Sequence, residues 1–433
     1  MDPAIAALLE KSAADGIPFR ARANHVHHPL AKTFHSLPEL YIQPDWQLNL
    51  DHYARVLSTD ASTGLAVVQS GIRLHSLCDE LDRRGLAMPN LGSINQYLAH
   101  GLMSEDVVAL KITLADGRTK SCSADENTAL FRAALLSLGA LGVITEVTFR
   151  AVPAFTLRWT QTIDADRVML DAWTKGALWT QSEFVRHVEP PRRNYDGPLG
   201  YYVYHNLLYL AQLVPRILPW VEWFVFGMQY GFRDGSTVSA VQPSREALLM
   251  NCLYSQYVNE WAIPLHKGTE ALRRLSSWLN HLGPADPDYV PHGIPFSAAG
   301  LFVHAPVEVR VKTRRRRRCR RTRAGGPTLY LNATLYRPYH ADPPCRERYY
   351  EAFEWLMRDL GGRPHWAKDF VVSGGMVEAL YGEDFARWRS VRDEADPEGM
   401  FIGPWHREKV LGEGPRPALE EVEVERARRR GAG

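Results

Sequence analysis

The sequence contains 433 residues, of which 45% are hydrophobic and 23% are charged, and its formal net charge is +2. This composition is that of a globular protein able to bury a core, and the length predicts two or three domains. The small net charge gives no support for a nucleic-acid-binding function. Five widely spaced cysteines form no Cys-x-x-Cys pair, which argues against a disulfide framework or a zinc site and indicates a reducing compartment.

The first segment, Met1–Gly16, predicts a short amphipathic helix in which acids stand among alanines and leucines. It lacks the basic start and long apolar core of a secretion signal, and its acids argue against a standard mitochondrial presequence. His25, His27 and His28 follow at adjacent and alternating spacing, without a carboxylate or cysteine partner. We therefore predict no metal site there.

Apolar periodicity predicts the elements of the next hundred residues. Two strands, Leu50–Leu57 and Leu65–Ser70, precede a helix over Ile72–Arg84 that ends at Gly85. The further predicted elements are a β-hairpin of Val107–Leu114 and Thr119–Ser123 and a helix over Asn127–Ser137.

Two glycines, Gly139 and Gly142, stand in front of a β-branched run that begins Val143-Ile144. This pattern fits a turn and a strand that pass close to a ligand, because backbone can approach a ligand where side chains are absent. A helix end capped by glycine before a core strand would give the same residues. The sequence leaves both interpretations open.

An aromatic-rich segment, Tyr201–Phe232, predicts a pair of helices interrupted by Pro215, Pro219 and Glu222. No run in it reaches the roughly 18–20 uninterrupted apolar residues of a membrane-spanning helix. The helices are therefore expected either to be buried or to lie in a membrane interface, with tryptophan and tyrosine at the headgroup level.

In the second half of the chain, a strand is predicted over Val307–Arg310, and helices are predicted over Gly268–Leu282, Arg346–Leu360 and Tyr381–Ala395. A tail over Leu419–Arg430 mixes acids and arginines, which is typical of a solvated segment.

Two charged pairs in this half could carry chemistry. Glu308 and Arg310 are two apart and therefore point to the same face of a strand, and Lys368 follows His365 by three. A site that removes a hydride from a polyol or sugar lactone needs a group that holds or deprotonates the hydroxyl, and cations that stabilise an electron-rich acceptor. From the residues alone, a surface ion pair on an edge strand and ordinary packing of His365 and Trp366 are the simpler alternative.

Two motifs carry a resemblance to a known family. Pro364-His-Trp-Ala-Lys368 resembles the His-Trp-x-Lys motif of the flavin-dependent sugar-1,4-lactone oxidases, and Val307-Glu-Val-Arg310 resembles the substrate-site strand of that family. The resemblance is greatest to the fungal D-arabinono-1,4-lactone oxidases and runs in patches from Phe19 to Leu411.

The resemblance implies an α+β fold with a vanillyl-alcohol-oxidase-type FAD-binding domain of two small subdomains, and a cap domain with an antiparallel sheet and flanking helices. Two strands of the cap domain are implied over Leu253–Pro264 and Pro327–Tyr336. It divides the chain into an N-terminal helix (1–18), the FAD-binding domain (19–153), the cap domain with a C-terminal flavin-contacting segment (154–411) and a charged tail (412–433). The implied reaction oxidises the hydroxyl beside the carbonyl of D-arabinono-1,4-lactone, or of a related aldonolactone, and reduces O2 to H2O2.

The same resemblance implies roles for individual residues. Glu308 would orient or deprotonate the substrate, Arg310 would bind it, and Lys368, supported by His365, would lie beside the flavin ring. Further contacts with FAD are implied for seven residues of the first domain: Leu91, Gly92, Ser93, Gly139, Gly142, Val143 and Ile144.

The sequence departs from the family at two cofactor segments. The family's glycine-rich turn, which holds the flavin pyrophosphate, is missing after Pro44, and a second cofactor loop is missing after Gln96. Pairing His35-Ser36 with the family's His-Ser leaves no glycine before the histidine. Losing both loops would weaken FAD binding, so an impaired or inactive family member is the alternative to an active oxidase.

A basic run, Arg314–Arg323, interrupts the second half and could indicate nucleic-acid binding. We expect a solvated loop instead, because the run lies between two predicted strands of one sheet. The partners expected from the resemblance are a sugar lactone, O2 and no nucleic acid, with peripheral association with a mitochondrial membrane. The alternative location is the cytoplasm.

Overall fold

The computed structural model describes residues 19–22, 46–50, 52–89, 106–165, 168, 170, 183–185, 198–247, 255–304, 307–312, 327–366, 368–372 and 374–413. Several predicted features lie outside these residues: the N-terminal helix, the three histidines, Leu91, Gly92 and Ser93, the two segments where cofactor loops are predicted to be missing, the basic run and the charged tail. Antiparallel sheets with flanking helices confirm the α+β class. The domain boundaries stay a prediction.

The first half of the chain is built on a five-stranded antiparallel sheet. Its elements, after a short parallel pair of β1 (Phe19–Arg22) and β2 (Trp46–Asn49), are β3 (Val56–Asp60), β4 (Leu65–Gln69), helix α1 (Leu74–Asp82), β5 (Leu86–Ala87), β6 (Val107–Thr113), β7 (Thr119–Ser123), helix α2 (Thr128–Ala134), β8 (Val143–Arg150) and β9 (Val152–Pro153). The strand order is β3-β4-β8-β6-β7, and β5 pairs with β9. The predicted hairpin and both predicted helices are confirmed.

The predicted strand over Leu50–Leu57 is wrong in its first part, since β3 begins only at Val56. Tyr53 N–H donates to Leu50 O at 2.8 Å and Gly71 N–H donates to Tyr53 O at 3.0 Å, so this stretch turns instead of extending. A β-carbon on Gly71 would overlap the Leu50 carbonyl. Apolar alternation in the sequence cannot reveal that close approach.

A second sheet and a helical hairpin follow. They comprise β10 (Thr156–Thr162), β11 (Glu183–Val185), helix α3 (Pro198–Leu213), helix α4 (Leu218–Tyr230), β12 (Thr237–Pro243) and the short helix α5 (Ser244–Ala247). The strand order is β11-β10-β12. The predicted helix pair is confirmed, and within the described residues no helix is both long and apolar enough to cross a bilayer.

The third sheet positions the candidate site. Its region comprises β13 (Gln256–Pro264), helix α6 (Gly268–Leu279), β14 (Val307–Lys312), β15 (Thr328–Tyr336), helix α7 (Arg346–Asp359) and β16 (Arg363–Pro364). The order is β14-β15-β13-β16, with every pair antiparallel. One face packs against α6 and α7 in the largest apolar cluster of the described chain, which includes Trp261, Leu331 and Phe353.

The C-terminal part contains two helices where the sequence predicts one. They are α8 (Gly374–Tyr381) and α9 (Glu383–Ala395), and a π-helical turn follows at His406–Leu411. The break falls at Gly382, whose φ of +53° lies in the left-handed region that favours glycine. The predicted single helix over Tyr381–Ala395 is therefore wrong at its start.

Two adjacent glycines of α8 give a matched test of packing. A β-carbon on Gly374 would overlap the backbone nitrogen of Gly412, whereas one on Gly375 would meet nothing within 4 Å. We expect Gly374→Ala to lower the free energy of unfolding by about 1–3 kcal/mol, because backbone must shift to make room. Gly375→Ala is expected to leave it unchanged or raise it by up to ~1 kcal/mol. Urea unfolding of both variants checks this, and equal midpoints would contradict it.

Candidate active site

The third sheet carries a polar face opposite its apolar core face. Glu308 stands directly opposite Asn332, and Asn332 stands opposite Glu260 on the next strand. Directly paired residues project to the same side of a sheet, so these three side chains share one face. Their neighbours Val307 and Val309 alternate to the other face and pack against the core cluster. We call the set Glu260, Glu308, Arg310, Asn332 and Thr334 the polar face.

The Glu308 carboxylate is held from two sides. Arg310 Nε donates to Glu308 Oε1 at 2.6 Å, and Arg310 Nη2 lies 2.5 Å from the same oxygen. Asn332 Nδ2 donates to the other oxygen, Oε2, at 3.2 Å. Thr334 Oγ1 in turn donates to Asn332 Oδ1 at 2.9 Å. The carboxylate is therefore fixed in position by a hydrogen-bonded chain that crosses two strands.

Access to the polar face changes across the sheet. Glu260 and Asn332 are both 7% exposed, whereas the side chains of Glu308 and Arg310 are 25% and 38% exposed. The face is thus closed over the central strands and opens toward the edge strand β14. A small polar molecule could reach Glu308 and Arg310 from that side.

Lys368 lies at the edge of the same sheet opposite to β14, in the segment that follows β16. A turn at Trp366 is followed by Lys368, whose backbone N–H donates to His365 O at 3.0 Å. On either side of this turn, His365 N–H donates to Glu260 O and Asp369 N–H donates to Val258 O, both at 2.8 Å. The segment therefore follows β13. With strands about 4.8 Å apart, its backbone lies roughly 14 Å from that of Glu308.

The side chains around this turn divide into packing and polar groups. Trp366 packs against Phe370 and Tyr381, with ring centroids 5.9 Å and 5.3 Å apart. Lys368 is half-buried, and its ammonium forms no ion pair with any residue that the structure describes. Trp366 thus follows the packing interpretation, whereas Lys368 is a cation without a structural partner in the described chain.

A buried carboxylate on α7 supports the Lys368 segment from the core side. Glu354 Oε1 accepts a hydrogen bond from Val371 N–H and another from Asn259 Nδ2, both at 2.8 Å. Burial raises the pKa of Glu354, although these two donors act in the opposite direction. Trp261 Nε1 donates to Asn259 Oδ1 at 2.9 Å, which extends the network along β13. The position of the segment is therefore tied to the core.

The two glycines of the predicted flavin-contacting segment, Gly139 and Gly142, have different surroundings. Gly142 has a φ of +148°, and a β-carbon there would stand 2.5 Å from Thr113 O, so packing of β8 against β6 accounts for it without a ligand. Gly139 has a φ of +73° and open space around its missing β-carbon. His406 Nε2 donates to the neighbouring Leu138 O at 2.8 Å. Gly139 is therefore the open position of this segment.

The other two predicted residues of this segment serve the first sheet. Val143 is fully buried in a small apolar cluster. The carbonyl of Ile144 accepts a hydrogen bond from the Ser70 hydroxyl at 2.5 Å. Their roles in cofactor binding stay a prediction, as do those of Glu308, Arg310, His365 and Lys368.

Comparisons with known proteins identify the family of the chain. A profile described as D-arabinono-1,4-lactone oxidase matches residues 147–409, which is more than half of the chain and includes the polar face and the Lys368 segment. The chain belongs to the D-arabinono-1,4-lactone oxidase family. It is 51% identical to a Neurospora crassa protein provisionally named D-arabinono-1,4-lactone oxidase, over 92% of this chain and 88% of that protein. It is 34% identical to the D-arabinono-1,4-lactone oxidase of Yarrowia lipolytica, over 85% and 87% of the two chains.

Solved structures show the same fold at low identity. The cholesterol oxidase of B. sterolicum superposes with a TM-score of 0.67 at 15% identity, covering 93% of this chain and 91% of that one. The carbohydrate oxidase of Microdochium nivale superposes with a TM-score of 0.60 at 14% identity, covering 96% and 90%. The fold of this member of the D-arabinono-1,4-lactone oxidase family is thus the predicted vanillyl-alcohol-oxidase type.

Local sequence patterns do not identify the residues that support Glu308 on the polar face. Asn332, Thr334 and Glu260 lie in predicted strands, but no local pattern indicates that they are close to Glu308. The sequence pattern that could have indicated them is polar residues at alternate positions of otherwise apolar strands, such as Asn332 and Thr334 in Leu329–Leu335. Register between strands is needed to bring them together.

Removing the amide of Asn332 should disturb the carboxylate it holds. We expect Asn332→Ala to lower kcat/KM for lactone oxidation by about 10–100-fold, because a hydrogen bond to a charged group contributes about 1.5–3 kcal/mol. The measurement is H2O2 formation at varied lactone concentration. Thr334→Val, which removes only the next bond of the chain, serves as the comparison and should have a smaller effect. A larger loss in Thr334→Val than in Asn332→Ala would contradict this order.

Proposed function

We propose that this chain is an FAD-dependent oxidase of D-arabinono-1,4-lactone, or of a related aldono-1,4-lactone. The observation that carries the proposal is the polar face, on which Glu308 and Arg310 form a partly exposed pair at the open edge of the sheet. Membership of the D-arabinono-1,4-lactone oxidase family supports it. The reaction would convert the lactone and O2 into the dehydro-lactone and H2O2.

The residues present fit the ring end of a flavin. Gly139 leaves open space at a left-handed turn, and Lys368 offers a cation that no described residue neutralises. Both are features that can lie against an electron-rich ring. The glucooligosaccharide oxidase of Acremonium strictum, a neighbour in fold with a TM-score of 0.58, is described as carrying a covalently linked FAD. Bound FAD would accept the hydride from the substrate and pass the electrons to O2.

The protein's own residues would perform the remaining steps. Glu308 would accept the hydrogen bond of the substrate hydroxyl and take up its proton as the C–H bond breaks. Arg310 and Asn332 would keep that carboxylate oriented, so that little reorganisation is needed during the reaction. Arg310 would also donate to substrate oxygens, since a guanidinium carries five N–H donors. Lys368 would stabilise negative charge at the other side of the site.

The predicted absence of two cofactor loops would favour an impaired family member. The match to the Neurospora protein extends over 488 residues, more than the 433 of this chain, which supports the interpretation that the relative carries segments absent here. The comparisons nevertheless do not favour an inactive protein over an active oxidase, because the matched relatives carry the name of the enzyme. We therefore propose activity, with FAD held more weakly than in a chain that has both loops.

The visible spectrum and a lactone titration test the proposal together. Purified protein, supplemented with FAD and freed of excess, should show flavin absorption bands, and D-arabinono-1,4-lactone added without oxygen should bleach them. Readmission of air should restore the bands and produce one H2O2 per lactone. Absence of bands after supplementation, or bands that no aldonolactone bleaches, would overturn the proposal. The same titration with galactono- and gulono-lactone would rank the substrates.

A further inference from the structure

A cavity of about 230 Å³ lies between the α3–α4 hairpin, residues 300–304 and the start of α7. It is separate from the polar face, since none of the residues that line it belongs to that set. No acidic side chain of the described chain lines it either. Most of its walls are apolar, and they include Leu208, Leu218, Leu301, Phe302 and Pro344. The cavity is thus an apolar space that lies apart from the proposed oxidase site.

One ring nitrogen of His304, which lines this cavity, has no partner in the described chain. His304 is only 5% exposed, and its Nε2 lies 3.0 Å from Tyr336 O. A carbonyl oxygen only accepts, so Nε2 carries the proton and donates, and Nδ1 keeps a lone pair to which no described residue donates. Burial also lowers the pKa of His304 to about 4, so the ring is neutral at pH 7. A buried acceptor without a donor is costly, and a ligand hydroxyl in the cavity would remove that cost.

Arg348 supplies a cation at the open side of the cavity. It is an exposed residue of α7 that also lines the cavity. Its Nη2 donates to Ser297 O at 2.6 Å and to Ala299 O at 3.1 Å, which fixes the guanidinium in place. Its other nitrogens keep their N–H donors, and no carboxylate of the described residues forms an ion pair with it. The guanidinium can therefore bind an anionic group of a ligand.

We propose that this cavity binds a small phenolic carboxylic acid. The phenol hydroxyl would donate to His304 Nδ1, and the carboxylate would accept hydrogen bonds from Arg348 at the open side. The apolar walls would contact the ring between these two groups. A cavity of about 150 Å³ already holds benzene, so about 230 Å³ leaves room for both substituents.

The polarity and charge of the cavity favour this class over other ligands. A sugar lactone would place several hydroxyls against apolar walls, which is unfavourable for groups without hydrogen-bond partners. An amine would meet the like charge of Arg348. Cys345 also lines the cavity, but burial raises the pKa of its thiol to about 12, so it adds no negative charge that would repel a carboxylate. The inference goes beyond the oxidase function and does not depend on it.

Calorimetric titration of the full chain with para-hydroxybenzoate tests this site. Benzoate lacks the hydroxyl and phenol lacks the carboxylate, so each should bind at least about 10-fold more weakly, because each loses one of the two polar contacts. D-arabinono-1,4-lactone, added in the absence of oxygen, should not displace para-hydroxybenzoate. The proposal is overturned if para-hydroxybenzoate does not bind at millimolar concentration, which would assign the cavity to water. Displacement by the lactone would also overturn it, since the compound would then occupy the polar face.

Two variants and one control locate the binding. Arg348→Met should weaken binding of para-hydroxybenzoate about 10-fold and leave the affinity for phenol unchanged. Arg358→Met is the matched control, because Arg358 is also exposed and lies on α7, about 15 Å further along the helix, and it should bind as wild type does. Ala211→Leu, which adds volume at the cavity wall, should weaken binding of all three compounds and leave lactone oxidation unchanged. Equal affinity of Arg348→Met and Arg358→Met for para-hydroxybenzoate would overturn the proposal.

Discussion

Replacing Glu308 with glutamine is expected to lower kcat/KM for lactone oxidation by about 10²–10⁴-fold, the range that one positioned general base contributes. Glutamine has the same size, but its amide cannot take up the substrate proton and carries no charge for Arg310. The fall should appear in kcat as well as in kcat/KM, because the proton is transferred only during the chemical step. Initial rates of H2O2 formation at varied lactone concentration measure both parameters.

Two controls distinguish loss of chemistry from loss of structure. The Glu308→Gln protein should bind FAD as wild type does, since the substitution changes no apolar packing on the core face. Glu270→Gln removes a carboxylate of α6 that is also in ion pairs, with Lys267 at 2.8 Å and Arg274 at 3.3 Å, away from the polar face. It should retain full turnover. If Glu308→Gln retained it as well, Glu308 would be only a partner of Arg310.

Replacing Lys368 with methionine is expected to lower kcat by about 10²–10³-fold, the effect of removing one preorganised electrostatic contact from a reaction centre. Methionine keeps the length of the side chain and removes the charge. The midpoint potential of bound FAD should also fall, because a cation close to the ring stabilises the form with more electrons. Stopped-flow reduction by the lactone and a redox titration measure the two quantities.

The thermal midpoint of Lys368→Met should remain close to that of wild type, since the Lys368 ammonium forms no ion pair with the described residues. Lys120→Met is a matched control, because Lys120 is also half-buried but lies on β7 in the five-stranded first sheet. It should change neither the rate nor the potential. An unchanged potential in Lys368→Met would remove Lys368 from the flavin site, even if the rate fell.

Local sequence determined the features that depend on neighbouring residues. The alternation of Val307-Glu-Val-Arg310 placed Glu308 and Arg310 on one face of a strand, and the structure pairs them there. The Ala115–Arg118 turn and the helix pair after residue 200 were predictable for the same reason: turn chemistry and apolar periodicity act over a few residues. The family motifs gave the fold class and the reaction, because they preserve residues whose types the chemistry requires.

Tertiary structure alone decided which distant residues meet. Asn332 reaches Glu308 because β14 and β15 pair in one register, and a shift by one residue would turn Asn332 to the core face. Gly142 allows the backbone to approach Thr113 closely, and Gly374 does the same for Gly412. Neither partner can be identified from the positions of the glycines in the sequence. The cavity between the hairpin and α7 is also a tertiary result, since periodicity shows that a helix is apolar but not where the rest of the chain packs against it. Such contacts are set by the packing of whole elements, and local sequence does not encode that packing.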